Sequence, residues 1–255
     1  MYSDLIKQRC CICNGTVKDE HKNERFTILK CNSCGHAFVG ESLSESDLVQ
    51  RYFKLAYWDG DRHHQKIYDM KPGKHWEVFI NARMNMIKTM CDLPPNVNVN
   101  GHKTKIFEVG CSEGVVLNYL AELGYDVAGC EINPEIVAES LKHYSINIIC
   151  ADFLTHDFGD TRFDIIYSAH TFEHIPDLFT LTHKCYRLLT DGGALIIEVP
   201  FGPDEYNNLD HMHFFSHDSI NILLSKFFKK VKLVENGYFN SKGIRCGSYY
   251  ASGIK

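Results

Sequence analysis

Four cysteines near the start of the chain stand in two pairs of identical spacing. Cys10 and Cys13 form one C-x2-C, Cys31 and Cys34 form a second, and seventeen residues separate the pairs. A C-x2-C turn points two thiolates at one metal ion, and two such turns complete a tetrahedron around zinc. Gly15 and Gly35 follow the second cysteine of each pair, where the chain must turn tightly. Metal binding would also supply folding energy to so short a segment. A redox dithiol, or unliganded thiols, would carry the same spacing. Cys11 lacks ligand spacing to Cys13, and His36 is a substitute ligand. Four thiolates close the coordination sphere, so the expected role is structural or substrate-docking rather than catalytic.

A second constellation begins at Ile106-Phe107-Glu108-Val109-Gly110-Cys111-Ser112-Glu113-Gly114. Here an apolar strand enters a turn of small residues that opens a helix. Gly110 and Gly114 permit tight turning and close ligand approach. Glu131 ends the next strand-like run, where a carboxylate can accept hydrogen bonds from two ribose hydroxyls. Asp152 follows the third run, where a short acid is placed to read an adenine amino group. The spacing Gly110-x-Ser112-x-x-Val115 fails the Gly-x-Gly-x-x-Gly fingerprint of dinucleotide-dependent oxidoreductases. Histidine titrates near neutrality and suits proton transfer. His170 and His174 follow a fourth strand-like run together with Glu173, and His211 and His213 follow a fifth.

The elements that must position these groups alternate regularly. Strands are expected at Lys105–Val109, Asp126–Glu131, Ile146–Cys150, Phe163–Ser168 and Ala194–Val199. Helices are expected at Val115–Leu123, Pro134–Tyr144 and Asp177–Leu189, the second with Asn133 as N-cap and Pro134 in its first turn. This rhythm predicts an α/β fold, a mostly parallel sheet with helices on both faces. A helix near Ser216–Phe228 and two strands without a helix between them, Val231–Phe239 and Arg245–Gly253, predict an antiparallel hairpin at one sheet edge. Pro94 to Gly101 is rich in turn residues and hostile to helix. The chain therefore divides into a zinc-binding module (1–40), a helical linker or lid (41–100) carrying Tyr52, Phe53, Tyr57, Trp58 and Trp76, and a ligand-binding α/β domain (101–255).

The stretch Glu108 to Gly114 resembles the glycine-rich first motif of class I S-adenosylmethionine-dependent methyltransferases. Phe163-Asp164-Ile165-Ile166-Tyr167-Ser168, followed by His170 to Asp177, is similar to that family's fourth-strand motif, and Leu188 to Ile197 to its turn into the fifth strand. The resemblance covers roughly residues 104–255. Ser112 stands where the family commonly has glycine. The resemblance implies a Rossmann-like, doubly wound, seven-stranded sheet with an antiparallel C-terminal strand, plus a small zinc-ribbon-like N-terminal module. It further implies that Glu108 and Gly110 frame the methionine end of S-adenosylmethionine, with Ser112 and Gly114 completing the turn. Glu131 and Ile132 would hold the ribose, Asp152 and Phe153 the adenine, and Ser168 would lie near the reactive methyl. A cysteine-rich module ahead of such a domain resembles some bacterial sugar and secondary-metabolite methyltransferases; certain ribosomal RNA methyltransferases also carry an N-terminal zinc module.

The sulfonium cofactor already activates its methyl group, so a base is needed only for a weak nucleophile such as a hydroxyl. His211 and His213, then His170 and His174, are the candidates. Pro200 to Tyr206 is expected to cover the acceptor pocket, with Tyr57, Trp58 and Trp76 as its lid. Net charge is −5, with 44% apolar and 23% charged residues. This balance favours a small-molecule acceptor, such as a sugar or nucleotide-linked sugar, over nucleic acid. A docking role for the zinc module in RNA or protein methylation is the alternative, as is a cofactor-binding module without catalysis. No apolar run approaches the roughly 20 residues of a membrane span, and no secretory signal is evident, which points to a cytoplasmic protein. Seven further cysteines (Cys11, Cys91, Cys111, Cys130, Cys150, Cys185 and Cys246) read as free thiols, mostly buried, rather than a disulfide framework.

Overall fold

The structure, a computed structural model, describes residues 9–41, 74–97, 101–239, 241 and 243–255. Tyr52, Phe53, Tyr57, Trp58 and the side chain of Trp76 lie outside the described residues. Two compact units divide the chain: residues 1–42 with 158–255, and residues 43–157. Among the described residues no helix is long and apolar enough to cross a membrane.

In residues 43–157, helix α1 (Lys74–Met90) is followed by β4 (Lys105–Val109), α2 (Val115–Glu122), β5 (Asp126–Glu131), α3 (Pro134–His143) and β6 (Asn147–Cys150). Ile80, Met84, Ile87 and Met90 of α1 are buried, three to four residues apart, as one helical face requires. The strands β4, β5 and β6 pair in parallel, in register from Lys105↔Asp126 to Val109↔Cys130 and from Ala128↔Asn147 to Glu131↔Cys150. In β4 Ile106, Phe107 and Val109 are buried on both faces, as an inner parallel strand demands, whereas in β6 only Ile148 is buried. The Asn133 side chain caps α3, accepting from the N–H groups of Glu135 and Ile136, with Pro134 in the first turn. Cys111, Leu117, Val137, Ile146 and Ile148 form the core beneath the two helices.

In the other unit, β1 (Val17–Lys22), β2 (Thr27–Cys31), β3 (Ala37–Val39) and β9 (His213–Phe214) make a four-stranded antiparallel sheet in that order. The remaining elements are β7 (Phe163–Ala169), α4 (Leu178–Leu188), β8 (Leu189–Phe201), α5 (His217–Ser225), β10 (Lys230–Phe239) and β11 (Arg245–Ile254). The β7 and β8 strands are parallel, and β11 runs antiparallel to both β8 and β10. Seven strands follow the order β10-β11-β8-β7-β4-β5-β6. This is the mostly parallel, seven-stranded α/β sheet with an antiparallel C-terminal strand that the sequence predicted.

Two expectations need correction. β8 starts at Leu189, not Ala194: Phe163 pairs with Leu189 and Ile165 with Ala194, so Thr190–Gly193 loop out of register as an irregularity inside the strand. Gly192, at φ 80°, makes that excursion possible. Of the seven cysteines outside the two pairs, only Cys111, Cys130 and Cys185 are buried; Cys91 and Cys246 are half-buried, and Cys11 and Cys150 are exposed.

Candidate functional site

β4 delivers the chain into a turn that only a few residue types can make. Gly110, Ser112 and Gly114 all have left-handed backbones, at φ 69°, 48° and 71°. The N–H groups of Gly110 and Cys111 donate to the Cys130 carbonyl at 2.9 and 3.1 Å, which locks the turn over the end of β5. From that end, Glu131 accepts from the N–H of Ser112 (3.1 Å) and of Asn133 (2.9 Å). Each carboxylate oxygen thus takes one backbone donor and keeps a lone pair for a ligand hydroxyl. Burial raises the Glu131 pKa, partly offset by those N–H donors. Glu108 is buried, and its Oε2 accepts no hydrogen bond among the described residues. Burial pushes its pKa up to about 8, an effect that Arg83 opposes and Glu131 and Glu113 reinforce. An orphaned carboxyl oxygen beside a pre-formed diol acceptor fits a ligand with a cationic end and a ribose. Asp152 is exposed, its Oδ1 accepting from Leu154 N at 2.8 Å.

The histidines converge elsewhere, in the unit that contains β7 and β8. His170 follows β7 in a left-handed conformation (φ 51°), its N–H bonded to the Glu198 carbonyl at 2.9 Å. Its Nε2 lies 3.1 Å from Glu198 Oε1 and its Nδ1 3.4 Å from Glu173 Oε1. Glu173 is fully buried in the short 3-10 helix Phe172–His174. Burial alone would raise its pKa, but His170, His174 and His211 outweigh it and hold the carboxyl below its ordinary range. His174 and His211 meet edge to face, with ring centroids 4.8 Å apart. His213 is buried in β9; its Nδ1 is 3.1 Å from His36 Nε2 and its Nε2 is 3.2 Å from the Pro176 carbonyl. Burial pushes the His213 pKa down to about 4.

In the same unit, the sulfurs of Cys10, Cys13, Cys31 and Cys34 all lie within 4.8 Å of one another. Cys10 and Cys34 Sγ are 3.6 Å apart, and Cys13 and Cys31 Sγ 3.4 Å. Tetrahedral zinc, with Zn–S about 2.3 Å, needs S···S edges of about 3.8 Å, so the four sulfurs fit that ion. Backbone N–H groups of Ile12, Ser33 and Cys34 point at Cys10 or Cys31 Sγ at 3.4–3.5 Å, as around thiolate ligands. Left-handed Asn14 and Gly35 turn the two knuckles. Gly15 instead serves packing: a Cβ there would sit 2.7 Å from Ser33 Oγ. His36 lies outside this quartet, packed against Phe38 and His213.

Residues 107–197 match a family described as a methyltransferase domain. This segment is similar to methyltransferase domains. The chain is 26% identical over 216 residues to phosphoethanolamine N-methyltransferase 3 of Arabidopsis thaliana, covering 77% of this chain and 41% of that protein. It is 23% identical over 159 residues to a ubiquinone biosynthesis O-methyltransferase of Xanthomonas oryzae pv. oryzae, covering 59% of each. The matches thus span about half the length of these curated relatives. A crystal structure of an S-adenosylmethionine-dependent methyltransferase from Archaeoglobus fulgidus shares the fold, with a TM-score of 0.59 and 16% identity over 76% of this chain and all of that one.

Within the matched segment, Glu108, Gly110, Ser112, Gly114 and Glu131 meet at one turn, with half-buried Ile132 next to Glu131. The Ser112 hydroxyl is already committed, donating to Glu113 Oε2 at 2.6 Å. Phe153 is only 4% exposed, its ring packed on Phe107, which leaves little surface for an adenine. Ser168 is fully buried as the penultimate residue of β7. The sequence points to His170, Glu173, His174 and His211 but not to Glu198, and it offers Glu205 only as part of the loop Pro200 to Tyr206. Glu198 sits mid-strand in an apolar run, where a buried acid is the anomaly worth noticing; Glu205 shows no such signal.

Proposed function

We propose that the chain is an S-adenosylmethionine-dependent methyltransferase that acts on a small-molecule acceptor, of which a sugar, a nucleotide-linked sugar or a related biosynthetic intermediate is the class we favour. The observation that carries this reading is the turn at Gly110–Gly114, with Glu131 buttressed by two backbone N–H groups and Glu108 holding an unsatisfied oxygen. The cofactor, when bound, supplies an electrophilic methyl on a sulfonium. Glu131 would receive its ribose hydroxyls and Glu108 the ammonium of its methionine end; Asp152 would meet the adenine.

For a hydroxyl acceptor we assign proton removal to His170. Its side chain is 42% exposed, and Glu198 lies 3.1 Å from its Nε2, an orienting carboxylate of the kind that serves a general base. His213 suits that role poorly, since it is buried in β9 and burial makes it a weak base. We further propose that Cys10, Cys13, Cys31 and Cys34 hold a structural zinc. Its task would be to anchor the segment before α5. Val39 of β3 donates to the Met212 carbonyl at 3.0 Å, Ala37 pairs with Phe214, and Asn23 Nδ2 donates to the Tyr206 carbonyl at 3.0 Å.

Titration calorimetry of the full chain with S-adenosylmethionine and its demethylated product tests the reading. One site per chain is expected. Absence of binding to either would sink it.

A further inference from the structure

Glu173, His174 and His211 present one carboxylate oxygen and two imidazole nitrogens, all within 4.8 Å of one another. Glu173 Oε1 is 4.0 Å from Nε2 of His174 and 4.0 Å from Nε2 of His211. The hydrogen bonds around the rings decide what those nitrogens carry. His174 Nδ1 faces the Asp210 carbonyl at 2.9 Å, and a carbonyl only accepts, so the proton sits on Nδ1 and Nε2 bears a lone pair. Asn208 fixes the tautomer of His211. Asn208 Oδ1 accepts from Asp210 N at 3.1 Å, which identifies its other terminal atom as the NH2; that group donates to His211 Nε2 at 3.0 Å. His211 Nε2 therefore also bears a lone pair, and its Nδ1, 3.1 Å from Glu205 Oε2, carries the proton.

Two imidazole nitrogens and a carboxylate oxygen thus surround one spot, the His211 lone pair at present taking the Asn208 amide hydrogen. The carboxylate is fully buried; His170 Nδ1 stands 3.4 Å from its Oε1, and neither oxygen accepts a well-aligned hydrogen bond among the described residues. Electron-rich groups gathered in a desolvated place repel one another unless a cation lies between them. His174 is also held from behind at Nδ1 by a carbonyl, which is how metal-binding imidazoles are oriented, and Glu205 Oε2 stands 3.1 Å from His211 Nδ1.

We propose that Glu173, His174 and His211 bind a divalent first-row transition ion, distinct from the ion of the four-cysteine knuckle. Two nitrogens and one oxygen suit Zn2+, Co2+, Fe2+ or Mn2+, and three protein ligands leave at least one position open for water or an oxygen donor of a small molecule. Ligands at about 2.1 Å from a tetrahedral ion lie roughly 3.4 Å apart, so closure requires Glu173 to approach each ring by about half an ångström from its present 4.0 Å. The Asn208 amide hydrogen would yield its place on Nε2 to the ion.

Cobalt titration of the full chain under reducing conditions tests this, with zinc retained in the knuckle and loosely held metal removed by a weak chelator. One Co2+ per chain is expected, with the visible d–d absorption of nitrogen and oxygen ligands and no thiolate-to-cobalt charge-transfer band. Glu173→Gln and His211→Asn should each weaken this binding by about a hundredfold, and Glu205→Gln by about tenfold through loss of ring orientation. Thermal unfolding and binding of the demethylated cofactor product report whether each variant is folded. If Glu173→Gln does not fold, His211→Asn decides. No Co2+ binding, only thiolate-type absorption, or unchanged affinity in the folded variants would overturn the proposal. These readouts do not depend on methyl transfer, so the site and the proposed activity fail separately.

Discussion

The Ser216 hydroxyl donates to the carbonyl oxygen of Cys34 and accepts from the N–H of Ser219, so one oxygen ties the second knuckle to the first turn of α5. Ser219 Oγ completes a capping box by contacting the Ser216 N–H at 2.9 Å. The knuckle therefore reaches beyond its own hairpin. Removing the knuckle metal with a strong chelator should release one zinc per chain. Hydrogen exchange at Gly35, Val39 and Phe214 should then accelerate about tenfold or more, while amides within β7 and β8 keep their protection. Uniform acceleration would mean that the knuckle carries the whole fold. Ser216→Ala should cost roughly 1 kcal/mol of stability with the metal retained.

Gly114 caps α2 at φ 71°, and a Cβ there would lie 2.5 Å from Ile146 Cδ1 and 2.9 Å from Ile148 Cδ1. Gly114→Ala adds a left-handed alanine to this overlap with a packed core. A loss of about 2–4 kcal/mol is expected by urea denaturation. A change below about 0.5 kcal/mol would show that the two isoleucines move aside freely.

Glu131→Gln removes one of the two acceptors serving Ser112 N and Asn133 N, and with it the charge offered to ribose hydroxyls. Affinity for the demethylated cofactor product should fall about 10- to 100-fold by calorimetry, the worth of a charged hydrogen bond. An unchanged affinity would remove Glu131 from the site.

Glu108 is largely protonated at neutral pH because burial lifts its pKa to about 8. A cationic ligand end beside it favours the carboxylate, so binding at pH 7 should release a proton. Calorimetry in two buffers of different ionisation enthalpy measures this, and affinity should rise with pH through 8. In the free chain the folded pKa lies above the unfolded one. Stability tied to this group is therefore complete below the ordinary carboxylate range and is lost as pH rises through 8. Glu108→Gln should abolish both the proton release and this slope.

His170→Gln leaves the buried acids in place and removes the exposed ring between them. For a hydroxyl acceptor, kcat should drop about 10²- to 10⁴-fold with cofactor affinity unchanged. A drop in cofactor affinity instead would place His170 in binding.

What the linear sequence determined was whatever depends on neighbours along the chain. Strand and helix positions follow from local hydrophobic period. The cap at Asn133 and the knuckle pairs Cys10/Cys13 and Cys31/Cys34 are fixed by spacing within one turn. The glycine-rich turn was legible because a left-handed backbone demands small residues at Gly110, Ser112 and Gly114. Tertiary structure alone decided the rest. Phe153 was turned into the core by its packing on Phe107, a contact between residues 46 positions apart. His213 was joined to His36 by the pairing of β3 with β9. Glu173, His174, Asn208 and His211 were gathered by the return of the chain after β8, where Met212 N–H bonds to the Glu173 carbonyl at 2.7 Å. A histidine's role depends on which lone pair its neighbours leave exposed, and no local pattern records neighbours that arrive from 30 to 180 residues away.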